Sequence, residues 1–224
     1  MKGLLVHNTK SVEKILITEK LKSKKDLSKT PEYNWDGPDD IPLIFFNLMF
    51  EDKVCTINDK IPVEFFISST LFFNSKLLKD LGSKRLRIKS EYKKFFTRKE
   101  KYIRPKHKIW FNTDWSYGVY NPEGNKSFSV DYDENLSLSK NIQLFRDAKV
   151  ISMEKNNFKY SSKYRGFYHN NEIVIFDEDI DISEYLLGIY IKDTDLYIKL
   201  KTKYPQYNIM NKEETNKFIL NYFE

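Results

Sequence analysis

At 224 residues, with 40% hydrophobic and 16% aromatic side chains, the chain holds enough apolar surface for one core, which excludes the disordered and the small disulfide-stapled classes. Its formal charge of +6 is unevenly spread: twelve Lys and Arg stand between positions 84 and 108 against only Glu91 and Glu100, so the rest of the chain is net acidic. One cysteine, Cys55, and three scattered histidines, His7, His107 and His169, leave no internal disulfide and no metal-ligand spacing, and no phosphate loop of the GxGxxG or GxxxxGKS/T kind is present.

Gly3–His7 reads as a short buried strand that His7 ends, and Asn8 and Thr9 supply N-cap side chains for a helix with Val12, Ile15, Leu16 and Glu19 on one side. Lys22 to Asp40, broken by Pro31, Gly37 and Pro38, reads as a polar loop. The Phe-rich runs Ile41–Phe50 and Val63–Phe73 read as core strands, and Asn74 or Ser75 caps a short helix through Leu77 and Leu78. Past the basic segment, Lys108–Asn112 reads as a strand with Trp115–Gly118 on the turn after it, and Ser137–Asp147 carries Leu138, Ile142 and Phe145 at helical spacing. Glu172–Phe176 reads as a clear strand before the acidic turn Asp177–Asp179. Ile189–Ile191 and Leu196–Ile198 read as short strands about an Asp193–Asp195 turn, and Asn211–Phe223 closes the chain as a helix. Mixed strands with few long helices predict an α+β fold in a single domain over 1–224, with residues of about 84–108 as a basic insertion or loop. The opening residues lack a signal-type apolar run and no stretch of 18 apolar residues occurs, so an intracellular protein that does not contact membranes is expected.

The basic segment predicts contact with a polyanion, because neutralising phosphates releases condensed counterions whatever the base sequence. Lys93, Lys94, Arg98, Lys99 and Arg104 are the candidate phosphate contacts, with Tyr92, Phe95, Phe96 and Tyr102 interleaved where they could stack on unpaired bases of DNA or RNA. The alternative is a solvated helix and loop whose aromatics face the core.

Two distant pieces match a pattern together. One is Val6-His7-Asn8-Thr9, then Ile15-Leu16 and Leu21-Lys22-Ser23; the other is Asn170-Asn171-Glu172-Ile173-Val174-Ile175-Phe176, then Ile182, Tyr185-Leu186 and Gly188-Ile189. Together they resemble the ADP-ribosyltransferase superfamily in its His-first branch, nearest the DarT type that modifies single-stranded DNA and related viral and toxin-like members. The resemblance implies split mixed and antiparallel sheets with flanking helices, NAD as substrate, no metal, and a nucleic-acid acceptor in preference to protein. It implies Glu172 as the catalytic carboxylate, since breaking the nicotinamide–ribose bond passes through an oxocarbenium-like state that a carboxylate against the ribose hydroxyl stabilises. His7 would hold the adenosine-side ribose, with Asn8, Thr9 and Ser68 beside the cofactor. Tyr117 and Trp115, or Phe66 and Phe72, would supply an aromatic floor for nicotinamide. Ser68-Ser69-Thr70 is similar to the motif of the arginine-first branch, although His7 stands where that branch has Arg, and Asn170 in place of a second Glu disfavours arginine as acceptor. The competing readings are an NAD-dependent RNA 2′-phosphotransferase and a non-enzymatic nucleic-acid-binding protein.

Overall fold

The apolar runs pair side by side around the N-terminal strand. The computed structural model describes residues 3–23, 43–50, 69–82, 109–112, 129–131, 133–144, 172–177 and 179–224. In it, β1 (Gly3–Thr9) lies between β3 (Leu43–Phe50) and β4 (Ser69–Asn74) inside an eight-stranded sheet. Beyond β3 come β7 (Glu172–Phe176), β5 (Ile109–Asn112) and β6 (Ser129–Asp131); beyond β4 come β9 (Leu186–Ile191) and β10 (Ile209–Met210). Every neighbouring pair is antiparallel except β9 with β10, so the sheet is mixed. A separate ladder joins β2 (Lys20–Lys22) to β8 (Asp179–Asp181).

Pleating sends alternate residues to opposite faces, and each face is buried by different helices. Leu5, Leu48, Leu71, Phe73, Ile173 and Ile175 belong to the larger core. Covering them are α1 (Val12–Thr18), α2 (Lys76–Gly82), the helical segment 138–144 and α3 (Thr194–Lys203), through Ile15, Leu16, Leu77, Leu78, Ile142 and Leu200. Leu4, Val6, Met49 and Phe72 form the smaller core under Ile219 and Phe223 of α4 (Lys212–Phe223). The fold is α+β, a mixed sheet with flanking helices. Tyr222 of α4 donates from its hydroxyl to the Gly3 carbonyl at 2.8 Å, which ties the last helix to the first strand.

Four expectations are corrected. Asn8 and Thr9 do not cap α1: β4 pairs with them through Thr70 and Ser69, so the strand runs on and His7 lies inside it. Ser11 takes the N-cap position without a side-chain cap bond. Glu19 is not on the helix face, because it ends α1 in the left-handed region at φ 53°. Lys22 and Asp179, read as loop and turn, belong to β2 and β8, whose alternating Lys-Leu-Lys and Asp-Ile-Asp pair opposite charges across the ladder. Leu196–Ile198 is helix, not strand. Asp193 caps α3 by accepting from the Leu196 amide at 2.7 Å, and Asp195 in the first turn with Lys201 and Lys203 in the last complements the helix dipole.

Candidate functional site

His7 pairs with Leu71 in the sheet and leans on Phe46, ring centroids 5.6 Å apart at 58°. Its Nδ1 lies 2.8 Å from the Phe45 carbonyl oxygen. A carbonyl only accepts, so Nδ1 carries the proton and Nε2 is the lone-pair side. Burial pulls the imidazole pKa below its ordinary value, with the Phe45 hydrogen bond opposing in part, so the ring is neutral at pH 7. Among the described residues nothing bonds Nε2, and a half-buried acceptor of this kind suits a hydroxyl donor.

The same shift makes a pH prediction. The unfolded chain takes up the His7 proton near pH 6.5 and the folded one only at lower pH, so stability is complete above about 6.5 and falls as pH drops through that value. His7→Asn keeps an N–H to offer Phe45 and cannot titrate. Urea denaturation at pH 7.5 and 5.0 is expected to show a smaller acid loss for the variant. An equal loss would mean that other groups carry the acid sensitivity.

Asn8 and Thr9 have structural partners. The Thr70 hydroxyl donates to Asn8 Oδ1 at 2.8 Å, joining β1 to β4, and the Ser11 amide donates to Thr9 Oγ1 at 3.0 Å, shaping the turn into α1. Phe72 does not serve as a nicotinamide floor: it is fully buried and packs against Phe218 of α4 at 5.5 Å. Ser68, Phe66, Trp115 and Tyr117 lie outside the described residues, as do Lys93, Lys94, Arg98, Lys99 and Arg104.

Glu172 opens β7. The register sets it opposite Asn47 of β3 on one side and Asn112 of β5 on the other. Asn47 in turn pairs with Val6, Val6 with Phe72, and Asn112 with Ser129, so Phe72, Val6, Asn47, Glu172, Asn112 and Ser129 form one row across the sheet. Among the described residues β7 begins at Glu172, β5 ends at Asn112 and β6 begins at Ser129, while β3 extends through Leu48, Met49 and Phe50. His7 stands one residue along from Val6, and only β3 separates β1 from β7. Two strand spacings and one residue amount to about 10 Å between the two backbones. The His7 row, with Leu71 and Phe46, belongs to the larger core, and the row of Val6, Phe72 and Glu172 to the opposite pleat. Sequence reasoning passed over Asn47 and Asn112. The signal available was a carboxamide interrupting the apolar runs Ile44-Phe45-Phe46 before Leu48-Met49, and Ile109-Trp110-Phe111.

Compared with known protein families, curated proteins and solved structures, the chain finds no match. Among the described residues no three His, Cys, Asp or Glu side chains gather as a metal site, and no helix is long and apolar enough to cross a membrane.

Proposed function

We propose that the chain is an NAD-dependent ADP-ribosyltransferase with the split-sheet fold of that superfamily, acting on a nucleic-acid acceptor. The observation that carries the reading is that β1, bearing His7, and β7, opened by Glu172, stand with β3 alone between them although most of the chain separates them in sequence.

The residues fit a dinucleotide. A neutral His7 with Nδ1–H spent on Phe45 offers Nε2 to a ribose hydroxyl. Glu172 accepts from the hydroxyl of the other ribose and stabilises the positive charge that develops there. NAD supplies the bond to be broken, nicotinamide leaving with its electron pair while the acceptor's nucleophile takes the ribose carbon and gives up a proton. The test is incubation with NAD labelled in nicotinamide, with and without single-stranded DNA or RNA. Release of free nicotinamide and transfer of label from the adenine side to the polymer are expected. No release, together with tight salt-dependent binding of DNA or RNA, would establish the non-enzymatic reading instead.

The acceptor rests on the basic segment. Changing Lys93, Lys94, Arg98 and Lys99 together to Ala is expected to weaken nucleic-acid binding and to lower the slope of log K against log salt by about three if all four sit on phosphates. Binding as tight as wild type at every salt concentration would make the segment a solvated face and point to a protein or small-molecule acceptor.

A further inference from the structure

The sheet face that carries His7 holds a second polar side chain with an unused hydrogen bond. Alternation puts Thr9 on that face, and Ser69 of β4 is the cross-strand partner of Thr9, so Ser69 points the same way as His7. Around them the face is apolar, with Phe46, Leu71, Ile189 and Ile191 in the larger core. Ser69 is only 3% exposed, and among the described residues no group hydrogen-bonds its hydroxyl. Thr9 Oγ1 is engaged already by the Ser11 amide. A buried hydroxyl left unpaired costs about 1–3 kcal/mol. Such a group calls for an explanation, and a bound ligand is one.

The position of Ser69 in the fold points the same way. β1 and β9 flank β4, each antiparallel to it, and therefore run parallel to each other. Both end at the Ser69 row, β1 at Thr9 and β9 at Ile191, and the exposed Lys10 and Lys192 lead on to α1 and α3. His7 lies diagonally across from Ser69, since its own partner is Leu71 two residues further along β4. Diagonal neighbours on one face stand about 7 Å apart. Nε2 of the neutral imidazole accepts only, whereas a serine hydroxyl donates and accepts. Two hydroxyls on adjacent carbons of a five-membered sugar, each about 2.8 Å from its partner, bridge a gap of that size.

We propose that Ser69 is a second ribose-binding residue beside His7, with His7 Nε2 taking one hydroxyl of the sugar's vicinal pair and the Ser69 hydroxyl the other. The inference rests on the transferase reading only for taking the sugar to be the adenosine-side ribose of NAD.

The test uses the whole protein as wild type, Ser69→Ala, His7→Leu and, as a distant control, Thr202→Ala on the exposed side of α3. Calorimetry titrates each with ADP-ribose and with its two analogues that lack either the 2′- or the 3′-hydroxyl on the adenosine-side ribose. Ser69→Ala is expected to weaken ADP-ribose binding on the order of tenfold, what one lost hydrogen bond amounts to. Against one deoxy analogue that penalty is expected to vanish, because the partner hydroxyl is already gone, and against the other to persist. His7→Leu is expected to show the complementary pattern. A purely structural Ser69 would instead cost the same against all three ligands. Where Ser69→Ala melts below the assay temperature, Ser69→Cys carries the same comparison. An equal penalty against all three ligands, unchanged ADP-ribose affinity in the Ser69 variant, or no wild-type affinity for ADP-ribose overturns the inference. Nicotinamide release from NAD is measured alongside. The crossed pattern without nicotinamide release keeps the inference and overturns the transferase reading. Release by the wild type with ADP-ribose affinity untouched by Ser69→Ala does the reverse.

Discussion

Glu172→Gln is expected to lower nicotinamide release from NAD by about a hundredfold or more, the usual effect of removing one preorganised electrostatic group. The melting temperature is expected to stay at the wild-type value. Gln keeps the shape of Glu and removes only the charge, and the residues paired with position 172 in the register, Asn47 and Asn112, are both uncharged. The loss should fall on kcat more than on KM, because the charge it answers develops only as the glycosidic bond breaks. Near-wild-type turnover would remove Glu172 from the chemistry, whatever the rest of the site does.

The largest stability effect is expected at Phe46. Its side chain is 1% exposed, meets Phe73 edge-on at 5.3 Å and 86°, and backs the His7 ring. Phe46→Ala deletes that ring from a close-packed face and leaves a cavity, at a cost of about 3–5 kcal/mol. Against a total of about 5–15 kcal/mol for a folded domain, the variant keeps only a small margin. Urea denaturation followed by circular dichroism measures it. A loss under about 1 kcal/mol would mean that the sheet face around His7 is loosely packed, and the orientation of the His7 ring would then lack its support.

Much of the architecture was readable from local pattern. Glu172–Phe176 reads as a strand and is one with the same bounds, because an unbroken apolar run flanked by polar residues has no other compact solution when both faces are covered. The closing helix announces itself through Asn211, whose side chain accepts from the Glu214 amide while Glu214 answers the Asn211 amide. Asn74 signals the start of α2 and does accept from the Lys76 amide at 2.8 Å. Reading failed where propensity and capping disagreed. Leu196, Tyr197 and Ile198 favour strand by residue type, yet the Asp193 cap and the burial of Leu200 on the larger core prevail.

The candidate site divides along the same line. The sequence by itself determined that His7 belongs to a strand early in the chain, that Glu172 opens one late in it, and that a basic segment lies between, because these are properties of residue type and local spacing. It could not determine that β3 alone separates the two strands, nor that Asn47 and Asn112 flank Glu172. Strand order and register arise from pairing between segments far apart in the chain, and sliding any strand by one residue exchanges its two faces without altering a single local preference. Only burial of Leu5, Leu48 and Phe73 on one side, and of Leu4, Val6 and Phe72 on the other, selects the register that puts the three polar residues in one row.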